Sequence, residues 1–192
     1  MLDSNTIESF EKIATPFYYY DMDLLRATIA KVHELADRHN LRVHYAVKAN
    51  SNERILREIS AKGFGADCVS GNEVLHAHEC GFPADRIVYA GVGKSDKEIC
   101  NAMRLGIEAF NCESLQEIFV INEMAREYGV VANVSVRINP DIDAQSNLAN
   151  GAKSVTLNLS DGNWSSTMAH MYAIRITQAL HVPTVRELVL CA

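Results

Sequence analysis

The stretch HYAVKAN, residues 44–50, sets one cation, Lys48, among apolar and small residues. Burying a lysine with its charge is costly. A desolvated lysine amine gives up its proton more readily and becomes a nucleophile for carbonyl carbon. Asp67 is an acidic partner suited to orienting such an amine. Other polar side chains recur downstream in comparable places: Ser70, Asn111, Glu113, Arg137 and Asn139. Two plainer alternatives stand beside this chemistry. Lys48 can carry its head into solvent on an apolar stem, and Asp67 and Arg137 can form an ordinary ion pair. Gly91 and Gly93, in GVG, lack the spacing of a phosphate-binding loop.

The elements that must position these groups follow from hydrophobic periodicity. Residues 41–47, 65–70, 86–91, 107–113 and 130–140 read as strands. Residues 52–63, 71–81, 95–106 and 114–129 read as helices. Ser95 with Glu98, and Ser114 with Glu117, carry the N-cap spacing of a capping box. The strands start about 22 residues apart, an interval that fits one strand, one helix and two short loops. Consecutive units of this kind give parallel strands with right-handed crossovers. Five of them suit a doubly wound sheet or the first part of a (β/α)₈ barrel, and in both folds the polar groups above fall at the C-terminal ends of the strands. Before the repeats, TPFYYYD (15–21) reads as a strand. Residues 22–40 read as a helix with Leu24, Leu25, Ile29, Val32, Leu35 and Ala36 on one face.

Composition narrows the class. The chain has 192 residues, 48% hydrophobic and 22% charged, with a net charge of -6 and no basic block. That balance is ordinary for a soluble globular protein and argues against nucleic acid or an anionic membrane as a partner. No apolar run approaches the roughly 20 residues that cross a bilayer. The acidic, polar start is unlike a secretory signal, so the expected location is the cytoplasm. Five cysteines without a C-x-x-C pair read as buried free thiols. His76 and His78 are two apart in a helix and do not share a face, so no metal site is expected.

In their order and spacing, TPFYYYD, YAVKAN, GFGADCVSGNE, RIVYAG, FNCES and VRINPDIDA resemble the diaminopimelate decarboxylases. These belong to the alanine-racemase-like (fold-type III) class of pyridoxal-phosphate enzymes. The resemblance covers about residues 13–144, and VSGNE and RINPDIDA tilt it towards diaminopimelate over ornithine or arginine. It implies a (β/α)₈ barrel, with about five βα units here, and a second β-rich domain. Residues 1–22 would supply a strand to that second domain, and 23–144 would form part of the pyridoxal-phosphate-binding barrel. It also implies that Lys48 holds the cofactor covalently, that Asp67 and Arg137 line its pocket, and that Glu73 occupies the SGxE turn at a helix N-terminus. The implied reaction is decarboxylation of meso-2,6-diaminopimelate to L-lysine, the last step of lysine synthesis. Family enzymes are homodimers. A non-catalytic cofactor-binding or pairing module, or another basic amino-acid decarboxylase, are the alternative readings.

After Ala144 the resemblance stops. Residues 145–192 hold 5 of the chain's 42 charged residues and are rich in Ser, Thr and Asn. They lack the family's TG…KFG, HIGS, glycine-rich phosphate-loop, EPGR and CESGD segments. A frameshift or premature end in the coding sequence, or a divergent short relative, would each produce this tail. Either leaves an open sheet with exposed edges and, by expectation, an uncovered apolar barrel interior. Little or no catalysis is then expected from the chain alone.

Overall fold

The computed structural model of the chain describes residues 4–138, 155–157 and 185–188. It comprises two compact units, Met1–Leu41 and Arg42–Ala192.

The first unit holds helix α1 (Ser4–Phe10), which the periodicity did not predict, and helix α2 (Met22–Arg38). Asp21 caps α2: its carboxylate accepts the Leu24 N–H at 2.9 Å. A cap of this kind is worth about 1 kcal/mol. The expected six-residue apolar face is narrower than its pattern. Ile29 and Ala36, seven apart, are buried, while Leu24, Val32 and Leu35 stay exposed. The segment TPFYYYD has no strand partner among the described residues and carries no ladder. Phe17 and Tyr19 meet the Phe10 ring at 5.3 and 5.1 Å, while Tyr18 and Tyr20 stack on each other. The rings alternate in sequence, but the strand expected over 15–21 is not formed among the described residues.

The second unit follows the βα rhythm. Strands β1 (His44–Ala46), β2 (Gly65–Cys68), β3 (Ile87–Tyr89), β4 (Ala109–Cys112) and β5 (Ala132–Ile138) pair in sequence order, all parallel. Helices α3 (Glu53–Ser60), α4 (Gly71–Glu79), α5 (Asp96–Leu105) and α6 (Leu115–Tyr128) connect them. Gly106 and Gly129 end α5 and α6 in the left-handed conformation that glycine adopts without strain. The far edge of β5 is covered too. Strand β6 (Val155–Leu157) pairs antiparallel with its end, and β7 (Val185–Leu188) pairs parallel with its beginning. Both strands lie in the tail after Ala144, and they cap an edge that was expected to be open.

Register partners share a sheet face, so the ladders sort the side chains. One face carries Ala66, Cys68, Ile87, Tyr89, Phe110, Cys112, Val134 and Val136, every one buried. Buried apolar residues of the helices, among them Leu56, Val74, Ile99, Ile118 and Ile121, complete this core. The opposite face carries His44, Gly65, Asp67, Val88, Ala109, Asn111, Asn133, Ser135 and Arg137. It is small and polar. The expectation of an apolar interior is therefore corrected: the strands alternate, and their hydrophobic half is spent against the helices.

Candidate active site

Lys48 does not lie in β1. The strand ends at Ala46, and Val47–Ala49 form a single 3₁₀ turn. Val47 is fully buried and anchors the turn, which presents Lys48 to the exterior. Beyond it, the Tyr45 hydroxyl donates to the Asn50 carbonyl at 3.3 Å, and Asn52 caps α3 by accepting the Arg54 N–H at 3.0 Å. The lysine is thus held by its neighbours at the C-terminal end of an edge strand. It is exposed rather than desolvated, and it makes no ion pair within 4 Å among the described residues.

Asp67 lies on the polar face one strand away, opposite Ala46. Burial pushes its carboxyl above the ordinary range. The charges of Lys48 and His44 oppose that rise, Glu73 adds to it, and Arg137 opposes it. Lys48, Glu73 and Arg137 therefore all act electrostatically on Asp67. The simple ion pair between Asp67 and Arg137 is not formed. Arg137 donates instead to Glu113 Oε1 at 3.2 Å, because Cys112 and Val136 are register partners and the next residue of each strand is the nearest neighbour of the other.

Glu73 serves its own turn. Its carboxylate accepts the Val69 N–H at 2.8 Å, while Ser70 Oγ accepts the Glu73 N–H at 3.2 Å. The same arrangement recurs one repeat pair later, where Glu117 accepts the Glu113 N–H and Ser114 accepts the Glu117 N–H. At the start of α5, Glu98 Oε2 accepts both the N–H and the hydroxyl of Ser95, at 3.0 and 2.7 Å. Glu98 reaches further and accepts the Gly71 N–H at 2.9 Å, which ties α5 to the start of α4. His76 and His78 donate to the carbonyls of Ser51 and Phe82. Cys68, Cys80, Cys100 and Cys112 are buried free thiols. Burial raises the Cys68 thiol to about 12, so it is inert as a nucleophile. Asn139 lies outside the described residues.

Two features escaped the sequence reading. The first is Lys94, whose side chain is 1% exposed. Its Nζ donates to Glu117 Oε1 at 2.6 Å, to the Gly91 carbonyl at 2.7 Å and to the Asn111 carbonyl at 2.8 Å. The role of GVG is thereby settled: Gly91 makes a turn at φ 110° against the Val69 carbonyl and presents its own carbonyl to Lys94. The second is Ser135, 1% exposed. Its Oγ, Asp67 Oδ1 and Asn111 Oδ1 are buried side-chain oxygens with no hydrogen-bond partner among the described residues. Counting back by two from Arg137 finds Ser135 on the same face.

These orphaned oxygens bear on what the polar face can hold. Buried polar atoms are ordinarily satisfied, and three unsatisfied ones on one sheet face, flanked by Lys48 and Arg137, fit a polar ligand. An amine for an aldehyde, a guanidinium for a phosphate and hydrogen-bonding groups for a heteroaromatic ring are the donor set that pyridoxal phosphate requires. A cavity of about 350 Å³ bordered by Lys94, Asp96, Glu113 and Glu117 includes neither Lys48 nor Asp67.

Fold and site together define a (β/α)₈-barrel-class domain with a lysine at the C-terminal end of its first strand. The chain belongs to the pyridoxal-dependent decarboxylases: the sequence profile of their pyridoxal-binding domain matches residues 23–156. It is 43% identical over 181 residues to the diaminopimelate decarboxylase of Bacteroides thetaiotaomicron, an alignment that covers 94% of this chain and 45% of that one. That alignment necessarily runs past Ala144. Diaminopimelate decarboxylase from Helicobacter pylori complexed with L-lysine superposes with a TM-score of 0.67 at 41% identity, over 74% of this chain and 36% of that one. The enzyme from M. jannaschii, also in complex with L-lysine, superposes with a TM-score of 0.75 at 32% identity, over 94% and 42%. The chain thus spans less than half the length of these relatives. Among the described residues, no helix is long and apolar enough to cross a membrane.

Proposed function

We propose that this chain is the pyridoxal-phosphate-binding part of a diaminopimelate decarboxylase. The reaction replaces the carboxylate on one α-carbon of meso-2,6-diaminopimelate with a proton, releasing CO₂ and leaving L-lysine. Pyridoxal phosphate, when bound, supplies the electron sink that lets the bond between the α-carbon and the carboxylate break. In this reading Lys48 Nζ holds the cofactor covalently. Asp67, whose carboxyl is raised by burial and lowered by the Lys48 charge, would line the cofactor pocket beside the lysine. Arg137 supplies positive charge to an anionic group of the cofactor, and Ser135 and Asn111 give the polar face its remaining hydrogen-bonding capacity.

The observation that carries the reading is the juxtaposition of Lys48 and Asp67 through the β1–β2 register, on a face with unsatisfied buried oxygens. A second reading, a cofactor-binding or pairing module without turnover, is favoured by the exposure of Lys48. Weak or absent turnover by the chain alone is compatible with both. One experiment addresses them together. The purified chain is mixed with pyridoxal phosphate, its visible spectrum is recorded, and borohydride reduction is followed by peptide mapping. Label on Lys48, absent in Lys48→Ala, supports the cofactor site. Indiscriminate lysine labelling counts against a cofactor site in either reading, and turnover of meso-diaminopimelate by the unreduced, cofactor-loaded protein favours the first.

A further inference from the structure

We propose that Lys94 is a positioning residue for Arg137, acting through Glu117 and Glu113; the consequence for the cofactor rests on the reading of Arg137 given above. Lys94 has no place on the polar face and touches none of its orphaned oxygens. Its three donors are all used, on acceptors from three separate segments. Two of its connections converge on the end of β4. The Asn111 carbonyl is held directly. Glu117 takes the ammonium on Oε1 and the Glu113 N–H on Oε2, at 2.9 Å. The backbone on either side of the fully buried Cys112 is therefore pinned at two points.

Glu113 follows directly, and its carboxylate is the group that meets Arg137. The Arg137 side chain is 44% exposed, and Glu113 is its ion-pair partner at 3.2 Å. A long side chain of this kind gains freedom as soon as its anchor is lost. The cavity of about 350 Å³ borders Lys94, Glu113 and Glu117, so Glu113 has room to swing away from Arg137 if the clamp is removed. The ammonium thus sets the direction of a guanidinium that it does not touch.

The test replaces both members of the buried pair, K94M/E117Q, so that no lone charge is left inside. In the ligand-free protein, phenylglyoxal modification of each arginine is followed by peptide mass. Arg137 is expected to react severalfold faster in the variant, with Arg42, anchored on Glu108, unchanged as the internal control. Equal Arg137 rates overturn the inference. E113Q, which leaves the clamp whole, is expected to give the same acceleration; an unchanged Arg137 there overturns it too, even if the double variant does not fold. Pyridoxal phosphate titration then follows the link to the cofactor. R137M is expected to weaken binding roughly tenfold, as loss of a hydrogen bond between charged groups does. K94M/E117Q should weaken it comparably, and the combined variant no more than R137M alone. Additive losses mean that Lys94 acts on binding by another route and overturn the link. Wild-type affinity in R137M overturns the cofactor reading of Arg137, while the labelling result still decides the positioning.

Discussion

Lys48 and Asp67 are brought together by ladder register: Asp67 pairs with Ala46, two residues before the lysine, and one of its carboxylate oxygens is buried with no hydrogen-bond partner among the described residues. Neither residue is near the other in sequence. The edge-strand position of β1 exposes the amine, while the interior position of β2 shields the acid.

Burial is the largest influence on Asp67 and raises its carboxyl above the ordinary 3.8. A carboxylate raised in this way costs the folded state stability wherever it is ionised in both states. The cost is full above the folded value and vanishes below the unfolded one. D67N is therefore expected to raise the melting temperature of the ligand-free chain near neutral pH. The gain should shrink towards zero as pH falls below the ordinary carboxylate value. Thermal melts across the acid range check this; a constant difference at every pH contradicts it.

Ser135 offers a complementary measurement. A buried hydroxyl without a partner costs about 1–3 kcal/mol, and Ser135 Oγ is such a group among the described residues. S135A should leave the ligand-free chain as stable or up to about 1 kcal/mol more stable. It should also weaken pyridoxal phosphate binding. A clear loss of stability without ligand would show that the hydroxyl is already satisfied.

Glu98 has the opposite sign to Asp67. The N–H and hydroxyl of Ser95 and the N–H of Gly71 hold its carboxyl below the ordinary 4.5, against the effect of burial. Its contribution is fully present above that ordinary value and is lost as pH falls through the lowered folded value. The difference in melting temperature between wild type and E98Q should be largest near neutral pH and close under acid conditions. A gap that widens in acid excludes this account.

Gly65 tests the packing at the other end of the polar face. A Cβ there would stand 2.6 Å from the Arg86 carbonyl oxygen and press on the His44 ring. The carbonyl belongs to the backbone and cannot give way. The ring is held by Glu108 at 2.8 Å, the carboxylate that Arg42 also engages. G65A is expected to cost about 1–3 kcal/mol, the range for overpacking a filled site. An unchanged urea midpoint would show that the ladder relaxes around the methyl group.

Much of this architecture is local and was therefore legible. Hydrophobic period located five strands and four connecting helices within a few residues. Cap chemistry located the starts of α5 and α6, because Ser95–Glu98 and Ser114–Glu117 need only three residues of separation. Lys48 stood out because an ammonium in an apolar run is anomalous on its face. The β-branched and aromatic composition of residues 15–21 read as a strand, and none is formed there among the described residues.

What only tertiary structure decided is which distant groups meet. Arg137 was matched with Asp67 by sign of charge, yet it bonds Glu113, since the β4–β5 register places those two side by side. Lys94, which the sequence reading passed over, is enclosed because acceptors 3, 17 and 23 residues away close around it. The polarity of the barrel-facing side emerged the same way. Alternation along each strand is a property of sequence, but the choice of which half faces the helices is made by the packing of all the units together.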